Sequence, residues 1–273
     1  MTERTIVITG ASDGIGAAAA AMLSTQPDVR LVLVGRTESK IRAVAEPLSA
    51  EFHVCDYASL DQVRALAATL AEKHPVIHVL ANNAGGVFAG RTVTADGYET
   101  TLQVNHLAGL LLTELLLPSL VAGQAKVIFT ASMAAFQGTI DLGDLGKEKN
   151  WTSFGAYGAG KLANIITARA LQRRYPAREI TAASFHPGVV ATSFGARGGR
   201  LVKWMYGSWI GKRVMLTAEQ GADTLVWLAT TTPGVDWRPG GYYVKRKLTA
   251  PPAQADSDAF GDRFLEASEL LIR

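Results

Sequence analysis

Short apolar runs alternate with longer segments of helical period along most of the chain. Residues 5–9 (TIVIT) predict a first strand, and the alanine-rich residues 14–25 a helix that Gly14 and Gly16 help to start. Residues 31–34 predict a second strand, 39–48 a helix and 51–55 a short third strand. In 60–73, Leu60, Val63, Leu66, Ala67 and Leu70 recur at the spacing of one helix face. Residues 77–81 predict a fourth strand, 94–117 one or two helices ending before Pro118, and 126–131 a fifth strand. A long helix over 157–174, a sixth strand over 180–185, a helix over 218–229 and a final strand over 241–244 complete the pattern.

The strands read as nearly continuous apolar runs, which is how strands buried on both faces read. The βαβ alternation predicts an α/β fold, a doubly wound, mostly parallel Rossmann sheet with helices on both faces. No repeat or long linker divides the chain, so residues 1–273 are expected to form one domain. Two segments break the pattern. One is 136–154, rich in glycine and charge; the other is 193–217, with Trp204, Met205, Tyr206 and Trp209. Long segments of this kind tend to be binding loops or lids. A tail begins at about residue 249.

Composition narrows the class. With 48% hydrophobic and 19% charged residues, the chain reads as globular rather than disordered. The net charge is +3 and the basic residues are scattered; their densest groups, Arg173-Arg174 and Lys245-Arg246-Lys247, read as solvated surface. That argues against a nucleic-acid partner. Cys55 is the only cysteine, which excludes an intrachain disulfide and suits a reducing, cytoplasmic location. Met1 leads directly into an apolar strand, with no signal-peptide pattern. The apolar stretch 107–117 is too short to span a bilayer and contains Glu114, so a core helix accounts for it. His74 and His78 are four apart, but Pro75 stands between them and His78 falls in the predicted fourth strand, so they do not form a helical zinc pair and no metal is expected.

The first candidate chemistry lies between strand one and its helix, at Thr9-Gly10-Ala11-Ser12-Asp13-Gly14-Ile15-Gly16. Glycines there permit a tight turn and close approach to a pyrophosphate, and the helix presents free N–H groups to phosphate. Strand two ends in Val34-Gly35-Arg36-Thr37. Arg36 stands where an NAD enzyme usually places a carboxylate for the ribose 2′-hydroxyl, and its guanidinium suits a 2′-phosphate. The expected cofactor is therefore NADP. The alternative for Arg36 is a surface arginine in a turn.

The chain resembles the short-chain dehydrogenase/reductase family across nearly its whole length. The residues that carry the resemblance are the Gly10–Gly16 loop, Asn82-Asn83-Ala84-Gly85, Ser132, Tyr157-Gly158-Ala159-Gly160-Lys161, and His186-Pro187-Gly188 with Thr192. Within the family it is most similar to retinol-dehydrogenase-like and protochlorophyllide-reductase-like members. The wide Ser132–Tyr157 spacing, Tyr-Gly-Ala-Gly-Lys-Leu-Ala-Asn from Tyr157, and Val-Asn-His-Leu-Ala-Gly around Asn105 carry that likeness.

The resemblance implies an oxidoreductase that interconverts a carbonyl and an alcohol. Tyr157 would exchange the proton. Lys161, one helical turn away, would stabilise the phenolate and hold the nicotinamide ribose. Ser132 would bond the substrate oxygen, and Asn105 would keep a water in the proton relay. For Asn105 the alternative is a helix asparagine satisfying backbone. The cofactor set implied is Gly10, Ser12, Asp13, Gly14, Ile15, Gly16, Arg36, Asp56, Tyr57, Asn83, Ala84, Gly85, Tyr157, Lys161, Pro187, Gly188, Val190 and Thr192. Asp56 and the Tyr57 backbone would meet the adenine. His78 stands where the family commonly has aspartate, which reads as a structural departure.

The 193–217 segment sits where the family has its substrate loop. Trp204, Met205, Tyr206, Trp209 and Ile210 could line an apolar pocket, with Phe136, Trp151 and Phe154 contributing, or pack the loop onto the body. Lys203, Lys212 and Arg213 flank these aromatics, so membrane contact is a third, less favoured reading. Rival functions are a carbon–carbon double-bond reductase and a non-catalytic NADP sensor. Homodimers in the family often form through the helices here placed at 94–117 and 157–174. The tail, with Phe260, Phe264, Leu265 and Leu270, could instead cover the core or a neighbour.

Overall fold

The computed structural model describes residues 3–177, 179–190 and 216–273. Strands β1 (Arg4–Thr9), β2 (Val29–Gly35), β3 (Glu51–Val54), β4 (Val79–Asn82), β5 (Lys126–Thr130), β6 (Thr181–His186), β7 (Tyr242–Val244) and β8 (Lys247–Thr249) form one sheet. Its order is β3-β2-β1-β4-β5-β6-β7-β8. Every pairing is parallel except β7 with β8. The order turns back between β1 and β4, where a doubly wound sheet opens a crevice at its carboxyl ends.

Successive strand residues supply opposite faces. Ile6, Ile8, Leu31 and Leu33 pack with the alanines of α1 (Gly14–Ser24) and with Leu225 and Leu228 of α8 (Ala218–Thr230). Val7, Val32 and Val34 face the other way. They join Leu66 and Leu70 of α3 (Leu60–Lys73), Leu110 and Leu111 of α5 (Ala108–Leu115), and Ala168 and Leu171 of α7 (Ser153–Arg174). Helix α2 (Glu38–Ala45) follows β2 and buries Ile41.

The 94–117 region differs from the expected helix. Residues 92–99 turn back on themselves through a Val93–Glu99 bridge. The helix starts at Thr100, capped by the Glu99 carboxylate, with Leu102 N–H donating to it at 2.8 Å. A short α4 (Thr100–Leu102) passes through a π turn, Gln103–Leu107, into α5. Helix α5 ends at Leu115, before Pro118 as expected, and Pro118 opens a further helix, α6 (Leu117–Ala122), where its missing N–H costs nothing. Helix α7 begins a turn earlier than expected because Thr152 caps it, accepting from Gly155 N–H at 3.0 Å.

Strand β8 lies where only charge was visible. Lys245 and Arg246 both take positive φ (51° and 61°), as the central residues of a tight hairpin require. Arg246 is held by an ion pair to Asp223. His78 finds a structural role, its Nδ1 accepting from Thr5 N–H at 3.1 Å. The tail forms α9 (Ala253–Asp256) and α10 (Asp258–Ile272), which cover the chain's own core. Phe264 packs with Leu162 and Ile166 of α7, and Arg173 pairs with Asp258 and Asp262. Among the described residues no helix is long and apolar enough to cross a membrane.

Candidate active site

A cleft of ≈ 430 Å³ opens at the carboxyl ends of the strands. One side is lined by Gly10, Ser12, Asp13, Gly14, Ile15, Arg36, Asp56, Tyr57, Asn83, Ala84 and Gly85. Its other side is lined by Ser132, Tyr157, Lys161, Pro187, Gly188 and Val190. The structure thus brings together all but three of the expected site residues. Gly16 sits inside the first turn of α1, where a Cβ would lie 2.5 Å from the Gly10 carbonyl oxygen. Asn105 lies behind the cleft wall, and Thr192 falls outside the described residues.

The glycine loop is built on backbone geometry. Gly10 has φ +66°, and a Cβ there would stand 2.7 Å from Ala84 Cα. Asn83 braces the loop rather than pointing away from it. Its Nδ2 donates to the carbonyls of Thr9 (3.0 Å) and Gly10 (3.3 Å), and its Oδ1 accepts from Thr130 Oγ1 at 3.1 Å. Asp13 caps α1, accepting from Gly14 N–H at 2.7 Å. Ser12 Oγ is buried at the cleft with no hydrogen-bond partner among the described residues, a donor suited to a phosphate or sugar oxygen. The positive end of α1 faces the same space. These features fit a dinucleotide.

Where β2 meets α2, Thr37 and Lys40 join Arg36 on the wall. Lys40 was not singled out from sequence: it lies in the first turn of α2, whereas Arg36 stands before the helix in the bend after β2. Cys55 also reaches the cleft, and burial pushes its thiol up to about 12. It is therefore an inert neutral group. The Asp56 carboxylate accepts from Ala58 N–H at 3.0 Å. The Tyr57 carbonyl accepts from Gln103 Nε2 at 3.2 Å.

At the opposite end, α7 carries Tyr157 and Lys161 on one face. Lys161 is 2% exposed, and its Nζ donates to the Thr130 carbonyl at 3.0 Å. Burial brings its pKa down to about 8. Its ammonium lies 5.8 Å from the Tyr157 ring centroid. Ser132 caps a short 3₁₀ turn (Met133–Phe136), its Oγ accepting from Ala134 N–H at 3.2 Å, which leaves the hydroxyl proton to donate. His186 lines the cleft too, and burial lowers its pKa to about 4, so its imidazole is neutral.

Asn105 is the fourth member of this group, and the π turn presents it. Its Oδ1 accepts from Gly86 N–H at 2.9 Å. Its Nδ2 donates to the carbonyls of Gly86 (2.9 Å) and Thr101 (3.1 Å). Gly85 separates it from the lysine. A Cβ there would come within 2.5 Å of Asn105 Oδ1 and 3.0 Å of Lys161 Nζ. Among the described residues, no group of His, Cys, Asp and Glu gathers as metal ligands would.

The apolar wall beside Ser132, Tyr157 and Lys161 includes Val87, Phe88, Met133, Phe154 and Val189. Of the three aromatics expected from the 136–154 segment, only Phe154 reaches the cleft. Trp151 instead donates from Nε1 to Glu99 at 3.1 Å, and Phe136 lies against Tyr242, 6.2 Å between centroids. Both are drawn to partners distant in sequence. Trp204, Met205, Tyr206, Trp209 and Ile210 lie outside the described residues, as do the flanking Lys203, Lys212 and Arg213.

Comparison with known proteins agrees with this geometry. The family model "short chain dehydrogenase" matches residues 4–199. The chain is 41% identical to a proposed daunorubicin C-13 ketoreductase, DnrU, of Streptomyces sp. (strain C5), over 98% of this chain and 92% of the relative. It is 31% identical to human retinol dehydrogenase 11 over 97% of this chain and 84% of that protein. A crystal structure of an uncharacterised protein from Mycobacterium paratuberculosis superposes with a TM-score of 0.81 at 28% identity, covering 99% of this chain and 94% of that one. The chain belongs to the short-chain dehydrogenase family, and is an NAD(P)-dependent oxidoreductase of that family.

Proposed function

We propose that this short-chain dehydrogenase uses NADP(H) to interconvert a carbonyl and an alcohol on a lipophilic small molecule, with Tyr157 as the acid–base group. One observation carries the reading: Tyr157, Lys161 and Ser132 line one end of a cleft whose other end bears Arg36 and Lys40. The loop from Gly10 to Ile15 would hold the pyrophosphate. Arg36, Thr37 and Lys40 would hold the 2′-phosphate, where a carboxylate would repel it. Asp56 and Tyr57 would border the adenine, and Asn83, Ala84 and Gly85 its ribose. Pro187, Gly188 and Val190 would border the nicotinamide. When bound, the cofactor supplies or accepts the hydride.

The chain's own residues manage the proton and the oxygen. Ser132 donates a hydrogen bond to the substrate oxygen and holds it beside Tyr157. In reduction, Tyr157 delivers its phenolic proton to that oxygen; in oxidation it takes the proton back. The Lys161 cation, anchored on the Thr130 carbonyl, favours negative charge on the phenol oxygen. Asn105 secures the Gly86 backbone behind the lysine. The apolar wall from Val87 to Val189 favours a hydrophobic substrate. The ketoreductase and retinol dehydrogenase relatives support a ketone or a primary alcohol as the reacting group.

The test follows NADPH and NADH absorbance with daunorubicin and all-trans-retinal as probes, with product analysis. Reduction at the carbonyl with NADPH preferred, lowered by at least about 100-fold in Tyr157→Phe, is the expected result. Equal turnover by Tyr157→Phe, or a product reduced at a carbon–carbon double bond, would overturn the reading.

A further inference from the structure

Helix α10 lies across the back of the catalytic end and is fastened there. The Ile272 carbonyl accepts from Arg64 Nη2 at 2.6 Å, and the Leu271 carbonyl accepts from Tyr98 Oη. Terminal helix carbonyls need such partners, and a guanidinium suits the negative end of the helix. One turn back, Ser268 is fully buried, with its Oγ 3.0 Å from His106 Nε2. Phe264 covers the same imidazole, 5.0 Å between centroids with the planes tilted by 30°. The His106 side chain is itself buried, and burial lowers its pKa to about 3. The ring is therefore a neutral hydrogen-bonding wedge.

His106 occupies a particular place in the chain. It directly follows Asn105 inside the π turn. The Asn164 side chain lies beside its ring. Asn164 Nδ2 donates to the Thr130 carbonyl at 3.1 Å, the same oxygen that anchors Lys161. One buried ring thus borders both the turn that presents Asn105 and the residue that shares the lysine's anchor. A π turn is rare and concentrated at functional sites, and here it is met by a locked partner helix.

We infer that His106, held by Ser268 and Phe264 of α10, is a positioning residue: it fixes the π turn so that Asn105 keeps its hydrogen bonds to Gly86 behind Lys161. The catalytic part of this inference rests on the proposed role of Asn105 and Lys161; the positional part does not. A misplacement of about 1 Å at such a site lowers turnover by about 100-fold.

The test uses the full chain with His106→Phe, His106→Gln, Ser268→Ala and Asn105→Ala. Amide hydrogen exchange reports the position of Asn105 through the Gly86 N–H, with β2 amides as the internal reference. Turnover of daunorubicin and all-trans-retinal with NADPH reports the consequence. His106→Phe is expected to speed exchange at Gly86 selectively and to lower kcat with cofactor Kd unchanged. His106→Gln, which retains a donor toward Ser268, is expected to restore both. Ser268→Ala, a small change, provides the same test should His106→Phe not fold. Unaltered Gly86 exchange in His106→Phe or Ser268→Ala overturns the inference whatever the turnover. So does loosened exchange with normal kcat where Asn105→Ala is impaired. Full turnover by Asn105→Ala instead overturns the proposed role of Asn105, while the exchange result still decides whether His106 positions it.

Discussion

The two halves of the sheet meet the cleft with different material. The half from β1 to β3 presents backbone and loop ends: the Gly10 turn, the start of α1, and Arg36 at the end of β2. The half from β5 to β7 presents the side chains of Ser132, Tyr157 and Lys161, with Asn105 and His106 buried behind them, and these need support from elsewhere in the chain. Lys161 is anchored on Thr130, Asn105 on Gly86, and His106 on Ser268, which lies 162 residues away. A binding surface made of backbone amides is specified by a short local motif. A catalytic group must also be held at one position and one ionisation state, which takes buried neighbours.

This contrast predicts separable effects. Tyr157→Phe is expected to reduce turnover by about 10²–10⁴-fold while NADPH Kd, measured by fluorescence titration, stays close to wild type. Weakened NADPH binding of comparable size would show that the halves are not separable. Phe264→Ala, in the tail that backs the catalytic half, is expected to cost about 3–5 kcal/mol in urea unfolding. A loss under 1 kcal/mol would mean that the tail is not part of the core. Arg36→Ala is expected to weaken NADPH binding by about 10- to 100-fold, leaving NADH binding and kcat little changed. An unchanged preference for NADPH would remove Arg36 from the phosphate site.

The smallest effect concerns Lys161, whose native pKa is brought down to about 8 by burial. The unfolded chain holds that proton up to about pH 10.4. Between the two values the unfolded state binds more protons, so raising the pH stabilises the native state. The Tm of the cofactor-free protein should therefore rise relative to Lys161→Met from about pH 8 to about pH 10, and show no such trend below about pH 7. A flat difference across that range would place the lysine in a better-solvated site than its burial indicates.

Legibility in the sequence follows the same division. Continuous apolar runs announced a parallel sheet because burial on both faces leaves no polar side. The glycine loop, Arg36 and the Tyr157–Lys161 pair were readable because each is local, within one turn or one helical repeat. Lys40 was missed because Arg36 and Lys40 are not on one helix, and only the bend between β2 and α2 brings both to the cleft. Trp151 and Phe136 were misplaced because an aromatic residue in a loop packs against whatever folding brings near it, here Glu99 and Tyr242. The π turn and the hairpin at Lys245-Arg246 gave no pattern, since both depend on tertiary contacts that hold unusual backbone.

By itself, then, the sequence determined the sheet, the glycine loop at its switch point, and the order in which Ser132, Tyr157 and Lys161 arrive. Those features rest on periodicity and short-range geometry, which a chain carries in every conformation. Only the tertiary structure decided that Lys161 is buried on Thr130, that Asn105 braces Gly86, and that the tail folds back to hold His106. Burial and long-range hydrogen bonds do not exist until distant segments pack. The ionisation state and position of these groups therefore belong to the folded molecule.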